Sequence, residues 1–210
     1  MNDFERLSDR VLHGARDRER LIVAIAGPPA AGKSTLAEKL VNRLNDGEAS
    51  EPAAIFPMDG FHLPNQVLIE RGLLRRKGAP QTFDTDAFFE TLKDIHDHRR
   101  DVPIPLYDRT HSASVPEAEV IRLHHRIVVC EGNYLLLDQE PWQAMRPLYG
   151  LTVFLRIEMD ILEERLIRRW TNRDHTLDAA RERAQSNDLP NARLVCEQSA
   201  VADLTLGSAP

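Results

Sequence analysis

Residues 27–34 combine residue types and spacing that suit the binding of a polyphosphate. They read Gly-Pro-Pro-Ala-Ala-Gly-Lys-Ser and match the pattern G-x-x-x-x-G-K-[ST] at every position. The glycines allow a tight turn close to phosphate groups, Lys33 can reach the β- and γ-phosphates, and the Ser34 hydroxyl can ligate Mg²⁺. A glycine-rich turn that matches by chance is the alternative. The predicted nucleotide-binding residues of this loop are Gly27, Ala30, Ala31, Gly32, Lys33, Ser34 and Thr35.

An aspartate follows the second predicted strand of the chain. Asp59 comes directly after residues 53–57, and the carboxyl end of a parallel strand is where functional loops lie. A carboxylate there can face the γ-phosphate and accept the proton of an attacking hydroxyl. Asp59-Gly60 could instead be an ordinary turn pair. We predict that Asp59 is the catalytic base and that His62 faces the acceptor, although His62 in an exposed loop is equally compatible.

Glu131 ends a run of buried strand residues, 126–130. An acid at that position is the usual Walker B arrangement, so Glu131 would hold Mg²⁺ together with Ser34, directly or through water. Asn133 follows two residues later and is a predicted acceptor contact. A strand-end glutamate without function is the alternative.

Residues 105–111 bring tyrosine, arginine and histidine together with few apolar neighbours. Such a group suits a polar small molecule, so Tyr107, Arg109 and His111 are predicted acceptor contacts. A solvated loop explains any one of them equally well.

Four arginines lie within residues 165–173 of a chain whose net charge is −6. Arg165, Arg169 and Arg173 are spaced by four residues and would share one helix face. A solvated basic face is the default interpretation of such a run. Beside a phosphate loop, we interpret it as a lid that closes on ATP, with Arg165 binding the nucleotide and with Arg169 and Arg173, like Lys33, stabilising the charge that develops during transfer.

The elements that must position these residues follow from hydrophobic periodicity. Predicted helices cover residues 3–18, 34–44, 64–71, 84–98, 160–170 and 177–185. Predicted strands or extended segments cover residues 21–26, 53–57, 103–107, 126–130, 151–155 and 201–206, the last one stopped by Gly207. Alternating strands and helices predict a three-layer α/β fold, with a central parallel sheet covered by helices on both faces. We expect one domain over 1–210, with an N-terminal helix within 1–20 and a helical lid with its following helix at 160–190.

The composition excludes several classes of protein. The chain has 210 residues, is 42% hydrophobic, and its longest apolar runs are far too short to span a membrane. The charged N-terminus lacks the apolar centre of a signal peptide. The net negative charge argues against a broad nucleic-acid-binding surface. Two cysteines, Cys130 and Cys196, without a C-x-x-C spacing suit a reducing, cytoplasmic setting, and nothing indicates an oligomeric state.

With these motifs identified, the chain resembles the P-loop kinases that include uridine kinase, phosphoribulokinase and bacterial pantothenate kinase. The likeness covers roughly residues 21–173 and is most specific over 58–84, where Asp-Gly-Phe, Pro-Asn-Gln-Val-Leu, Glu-Arg-Gly-Leu and Lys-Gly-Ala-Pro occur in order. The overall pattern is closest to small kinases described as nucleoside kinase-like or fructose-transport-associated. The resemblance implies ATP and Mg²⁺ as cofactors, supports Asp59 as the general base, and makes Asp84 a ligand of acceptor hydroxyls.

The function indicated is transfer of the γ-phosphoryl group of ATP to a hydroxyl of a small molecule. A sugar such as fructose and a nucleoside are both compatible with the motifs. The chain lacks the long C-terminal section that builds the pantothenate pocket in pantothenate kinase, so pantothenate is the second choice. A P-loop ATPase acting as a transport-associated or regulatory switch is the non-kinase alternative. The sequence has no Asn-Lys-x-Asp motif, which argues against a GTPase.

Overall fold

A computed structural model describes residues 2–173 and 175–207. Its α-helices are α1 (Asp3–Gly14), α2 (Lys33–Asn45), α3 (Asn65–Glu70), α4 (Thr85–Asp97), α5 (Met159–Thr171), α6 (Leu177–Arg183) and α7 (Leu189–Gln198). Its strands are β1 (Leu21–Ala26), β2 (Ala53–Pro57), β3 (Val102–Asp108), β4 (Ala113–Ile121), β5 (Ile127–Gly132), β6 (Leu151–Arg156) and β7 (Leu204–Gly207).

Five strands form a parallel sheet in the order β2-β5-β1-β6-β7. Strand β1 lies at the centre, and all of its residues are buried, as expected for a strand covered on both faces. Its neighbours are in register, with Ala24 beside Cys130 and Ala26 beside Gly132. The carboxyl ends of β1, β2 and β5 therefore meet at one edge, which is where the predicted chemistry lies.

The two faces of the sheet carry separate apolar cores. Ile22 and Ala24 point into one, which α4 covers through residues such as Phe88. Val23 and Ile25 point into the other, which α1 and α2 cover. Alternating side chains of one strand thus serve opposite layers, as strand geometry requires. This arrangement confirms the predicted three-layer fold.

Strands β3 and β4 form an antiparallel hairpin outside the main sheet. The extended character of 103–107 was predicted, but β4 was not, because its residues are mostly exposed and include Pro116. The hairpin packs closely on the turn after β2: a methyl group at Gly60 would lie 2.1 Å from the carbonyl oxygen of Pro105. Only glycine permits this approach, so Gly60 fixes the hairpin against the turn that carries Asp59.

Helices α5 to α7, residues 159–198, form what we call the lid region. Helix α6 continues through a π-helical turn, Ala184–Asp188, into α7. A small apolar cluster of Leu166, Ala184 and Leu189 holds these elements together. Helix α7 was not predicted. The structure places Pro190 in its first turn, where proline is tolerated.

Two predicted boundaries were wrong. Helix α1 ends at Gly14 rather than continuing to residue 18, since glycine is a poor helix former. The last strand runs over Leu204–Gly207 rather than 201–206, so it includes the glycine that was expected to stop it. Over the two described stretches, no helix combines the length and the apolar character that crossing a membrane requires.

Candidate active site

The phosphate loop runs from the end of β1 into α2. Gly32, the residue before the helix, has φ +92°, and Ala30 has φ +64°. At the start of the loop, a methyl group on Gly27 would lie 2.9 Å from the carbonyl oxygen of Leu155. Helix α2 then begins at Lys33 with no acidic residue in its first turn. Free backbone N–H groups and the positive end of the helix dipole therefore face the site and favour an anion.

Lys33 is buried at this point. Its Nζ donates to the carbonyl oxygen of Pro28 at 2.9 Å and to Oδ1 of Asn133 at 2.7 Å. Burial lowers the pKa of Lys33 to about 8, although the nearby carboxylates of Glu131 and Asp59 oppose that shift. The ammonium group is therefore held in a dry position, where a phosphate would be attracted strongly.

Ser34 and Glu131 form the candidate metal site. The Ser34 hydroxyl donates to Oε1 of Glu131 at 3.1 Å. Burial raises the pKa of Glu131, and the positive charge of Lys33 works in the opposite direction. A buried carboxylate beside a hydroxyl fits Mg²⁺ once phosphate oxygens complete the coordination. Among residues 2–173 and 175–207, no group of three or more His, Cys, Asp or Glu could hold a metal by itself.

Asp59 lies in a short 3₁₀ turn, Met58–Phe61, directly after β2. Its carboxylate accepts a hydrogen bond from Arg109 at 3.0 Å. Side chains of the turn and of the hairpin thus meet over the carboxyl edge of the sheet. Both groups remain partly open to solvent, so a substrate could reach them.

A cavity of about 420 Å³ joins the phosphate loop, the turn after β2, the hairpin and the lid region. A second cavity of about 640 Å³, along β2 and the hairpin, meets the first at Ser34, Asp59, Tyr107, Arg109 and Glu131. The first cavity contains most of the predicted site residues: Ala30, Gly32, Lys33, Ser34, Thr35, Asp59, His62, Tyr107, Arg109, Glu131, Asn133, Arg169 and Arg173.

His62 stands between two aromatic rings on the acceptor wall. Its ring centroid is 4.2 Å from that of Phe83 and 4.6 Å from that of Tyr107. The carbonyl oxygen of Asp59 lies 2.7 Å from its Nδ1. Burial lowers the pKa of His62, so the ring is uncharged at neutral pH and Nδ1 is the donor in that contact.

The lid region contributes two arginines from the end of α5. Arg169 and Arg173 both line the cavity that the phosphate loop also lines. Burial is the main cause that lowers the pKa of Arg169, and neighbouring arginines act in the same direction. The guanidinium group of Arg173 lies over the ring of Trp170, 5.4 Å from the ring centroid. Two arginines of the lid region therefore line the same cavity as Lys33 and Ser34.

Five predicted contacts fall outside the cavity lining. Gly27 and Ala31 belong to the phosphate loop but do not line the cavity. Arg165 lies one helical turn before Arg169 and does not line it either. The Asp84 carboxylate instead accepts from the backbone N–H of Ala87 at 3.0 Å and caps α4. His111 is exposed and pairs with Asp108 at 2.6 Å. That contact raises the pKa of His111 and lowers that of Asp108 to about 2.

Several lining residues were not predicted as site residues. The cavity also includes Lys77, Ser112, Trp170, Arg183, Asp188 and Asn191. Lys77 stands in the Lys-Gly-Ala-Pro block that contributes to the family resemblance. No sequence pattern marked Arg183, which reaches the cavity only because the lid region folds back.

Comparisons with known proteins agree with this geometry. A sequence model of the Phosphoribulokinase / Uridine kinase family matches residues 22–210. A Schizosaccharomyces pombe protein named "putative uridine kinase" is 31% identical over 216 residues, which cover 98% of this chain and 91% of that protein. Pantothenate kinase of Listeria monocytogenes is 38% identical over 140 residues, which cover 66% of this chain but 45% of that enzyme.

A solved structure gives the same result over nearly the whole chain. The crystal structure of a "putative fructose transport system kinase" from Silicibacter sp. TM1040 has a TM-score of 0.87 and 39% sequence identity, and the match covers 97% of this chain and 98% of that one. The chain therefore belongs to the phosphoribulokinase and uridine kinase family of P-loop kinases, which phosphorylate small molecules.

Proposed function

We propose that the protein transfers the γ-phosphoryl group of ATP to a hydroxyl of a small polyhydroxylated acceptor. The observation that carries this proposal is the position of Asp59. Its carboxylate lines the same cavity as Lys33 and Glu131, at the junction with a second cavity from which an acceptor can approach. A base between a phosphate loop and an open acceptor side is what hydroxyl phosphorylation requires.

The donor half would hold ATP through the loop and α2. Backbone N–H groups of the loop and the Lys33 ammonium bind the β- and γ-phosphates. Ser34 and Glu131 would hold Mg²⁺, which neutralises phosphate charge when bound. Arg169 and Arg173 approach from the lid region and stabilise the charge on the oxygens of the transferring group.

The acceptor half would supply the base. An acceptor hydroxyl placed against Asp59 gives its proton to the carboxylate as its oxygen forms the bond to the γ-phosphorus. The bond from that phosphorus to the bridging oxygen breaks, and ADP leaves with the electron pair. Arg109 holds the Asp59 carboxylate in place, and the lid region excludes water that would otherwise compete as an acceptor.

The lining favours a hydroxyl-rich acceptor. Tyr107, Arg109, Ser112 and Lys77 supply polar groups around Asp59, whereas the exposed aromatic surface is limited because the tilted rings of His62 and Phe83 contact each other. The 39% identity to a protein described as a fructose transport system kinase supports a sugar such as fructose as the first choice. A nucleoside is the other compatible acceptor.

Two alternatives remain for the experiment to exclude. Pantothenate is supported by the identity to the Listeria enzyme, but that match covers less than half of that enzyme. A nucleotide switch without an acceptor would hydrolyse ATP only with a protein partner.

ADP formation should be measured against a panel of sugars, nucleosides and pantothenate. We expect one class of acceptor to stimulate it and to become phosphorylated. Asp59→Asn should then lose about a thousandfold in kcat while nucleotide affinity stays within about threefold. Asp86→Asn, on an exposed residue of α4, is the matched control. Unchanged turnover in Asp59→Asn would eliminate the base assignment, and hydrolysis that no acceptor stimulates would favour the switch.

A further inference from the structure

A set of hydrogen bonds joins the lid region to residues 74–78, which we call the acceptor-side segment. Arg76 donates to the carbonyl oxygen of Ser186 at 2.9 Å and to Oδ1 of Asn191 at 3.4 Å. In the opposite direction, Arg183 donates to the carbonyl oxygens of Arg75 and Lys77, the second at 3.1 Å. The side-chain amide of Asn187 also donates to the carbonyl oxygen of Lys77, at 3.0 Å. Two elements that are about a hundred residues apart in sequence are therefore bound together by two guanidinium groups and an amide.

The acceptor-side segment also contacts the acceptor wall of the cavity. Nζ of Lys77 donates to Oδ1 of Asn65 at 2.6 Å and to the carbonyl oxygen of Ser112 at 2.7 Å. It lies 5.2 Å from the ring centroid of Tyr107. The same residue that receives the lid hydrogen bonds on its carbonyl oxygen thus presents its side chain to the acceptor wall.

At its other end, Arg183 contacts the catalytic side of the lid region. Its guanidinium lies 5.2 Å from the ring centroid of Trp170, and that of Arg173 lies 5.4 Å from the same ring. Nε1 of Trp170 donates to Asp188 at 2.5 Å, which fixes the indole. Arg183 therefore touches both the acceptor-side segment and the aromatic ring against which Arg173 is placed.

We propose that Arg183 is a positioning residue that couples the acceptor-side segment to Arg173 through Trp170. This inference rests on the proposed function, since Arg173 is assigned there to the transferring phosphoryl group. An acceptor that orders Lys77 stabilises the carbonyl groups that Arg183 binds, and Arg183 then holds the indole in the orientation that places Arg173. The lid arginines are thereby positioned for transfer when the acceptor is present, which limits phosphoryl transfer to water.

Coupling of this kind is reciprocal, so nucleotide binding at the loop and lid region must also stabilise the acceptor-side segment. A planar group with several N–H donors can bind two carbonyl oxygens while it lies over an indole ring, as Arg183 does over Trp170. Lysine at position 183 keeps the charge and one hydrogen bond, whereas methionine keeps only the length. The loss of coupling should therefore be greater in Arg183→Met than in Arg183→Lys.

The first measurement is kinetic. With the acceptor identified from the panel, Arg183→Met should lower the acceptor-stimulated kcat about tenfold, with ATP affinity within about twofold of the wild type. Its acceptor-independent ATP hydrolysis does not use the acceptor-side segment and should fall by a smaller factor, so the ratio of transfer to hydrolysis falls, and Arg183→Lys should recover part of that ratio. Arg181→Met, on an exposed residue of the same helix, should match the wild type. An unchanged ratio in Arg183→Met overturns the proposal.

The second measurement needs no acceptor. Hydrogen exchange of the amides of residues 74–78 should slow when the wild type binds Mg²⁺ and a non-hydrolysable ATP analogue. Arg183→Met should lose this protection while still binding the analogue, and Arg181→Met should keep it. Equal protection in Arg183→Met and the wild type, or none in the wild type, overturns the coupling. A wild type that shows protection but no acceptor-stimulated turnover would instead contradict the proposed kinase reaction.

Discussion

A guanidinium nitrogen of Arg109 lies 3.0 Å from a carboxylate oxygen of Asp59, so a hairpin residue holds the candidate base from the acceptor side. The two residues come from separate elements, the hairpin and the turn after β2. Half of the Arg109 side chain is exposed, which means that solvent weakens the attraction and an incoming acceptor can replace it. An acceptor that displaces Arg109 would therefore contact the carboxylate of Asp59 directly.

Replacing Arg109 should therefore affect the acceptor more than ATP. We expect Arg109→Met to raise the acceptor KM and lower kcat, with kcat/KM reduced about a hundredfold, and Arg109→Lys to recover part of the loss. Arg99→Met, at an exposed position beyond α4, is the control. An effect confined to ATP affinity would show that Arg109 belongs to the donor half.

The buried ammonium of Lys33 predicts a pH dependence of nucleotide binding. Burial lowers the pKa of Lys33 to about 8, so the free protein carries the charge below that pH and must take up a proton to gain it above. The Kd for ATP should be nearly constant below about pH 8 and rise by up to about tenfold per pH unit above it. Calorimetric titrations at several pH values measure this, and Lys33→Arg should remove the break because arginine stays charged.

Glu131 and Ser34 predict how the reaction depends on magnesium. Glu131→Gln removes the charge but keeps the size of a buried side chain, so the Mg²⁺ concentration for half-maximal rate should rise about tenfold or more. Glu90→Gln, on an exposed residue of α4 that lines neither cavity, should leave it unchanged. If both variants keep the wild-type requirement for Mg²⁺, Glu131 is not a ligand of the metal.

The lid arginines should differ in importance despite their regular spacing. Arg169 lines the cavity, whereas Arg165 does not, since it lies a turn closer to the start of α5. Arg169→Ala should lower kcat about a hundredfold or more, and Arg165→Ala less than about threefold. Steady-state kinetics on both variants checks this ranking, and comparable losses would restore Arg165 to the site.

The contact between Gly60 and Pro105 predicts a structural cost. Because a methyl group at position 60 would lie 2.1 Å from the Pro105 carbonyl oxygen, Gly60→Ala must shift the backbone of the turn or of the hairpin. We expect a loss of about 3 kcal/mol in the free energy of unfolding, together with reduced turnover, since Asp59 is the adjacent residue. Gly207→Ala meets no atom within 4 Å and should be nearly neutral in denaturant unfolding.

The sequence was most informative where a local pattern is sufficient to define the structure. The strand, loop and helix around Lys33 follow from an apolar run, two glycines and a helical repeat, all within 25 residues. The acidic residue after β2 and the one near the end of β5 were recognisable because parallel strands bring their carboxyl ends to one edge. The donor half of the site was predicted in this way.

The parts of the fold and of the site that the sequence did not predict depend on contacts between distant segments. The Asp84 carboxylate caps α4 through the Ala87 N–H, and whether it also binds an acceptor hydroxyl depends on where the acceptor lies, so that role stays a prediction. Arg165 and Arg169 are equivalent in spacing, and the packing of α5 decides which one faces the cavity. Strand β4 has no apolar face, and Arg183 lies in no motif, so neither could be identified from local sequence.

The hairpin of β3 and β4 has a consequence for how acceptor preference can change. It carries Tyr107 and Arg109 but shares no strand pairing with the five-stranded sheet. Substitutions at its tip can therefore alter the acceptor wall while the phosphate loop, Lys33 and Glu131 keep their support. The same ATP-binding part of the fold can in this way serve different acceptors during evolution. In the laboratory, the tip of the hairpin is the first segment to replace when a different acceptor is sought.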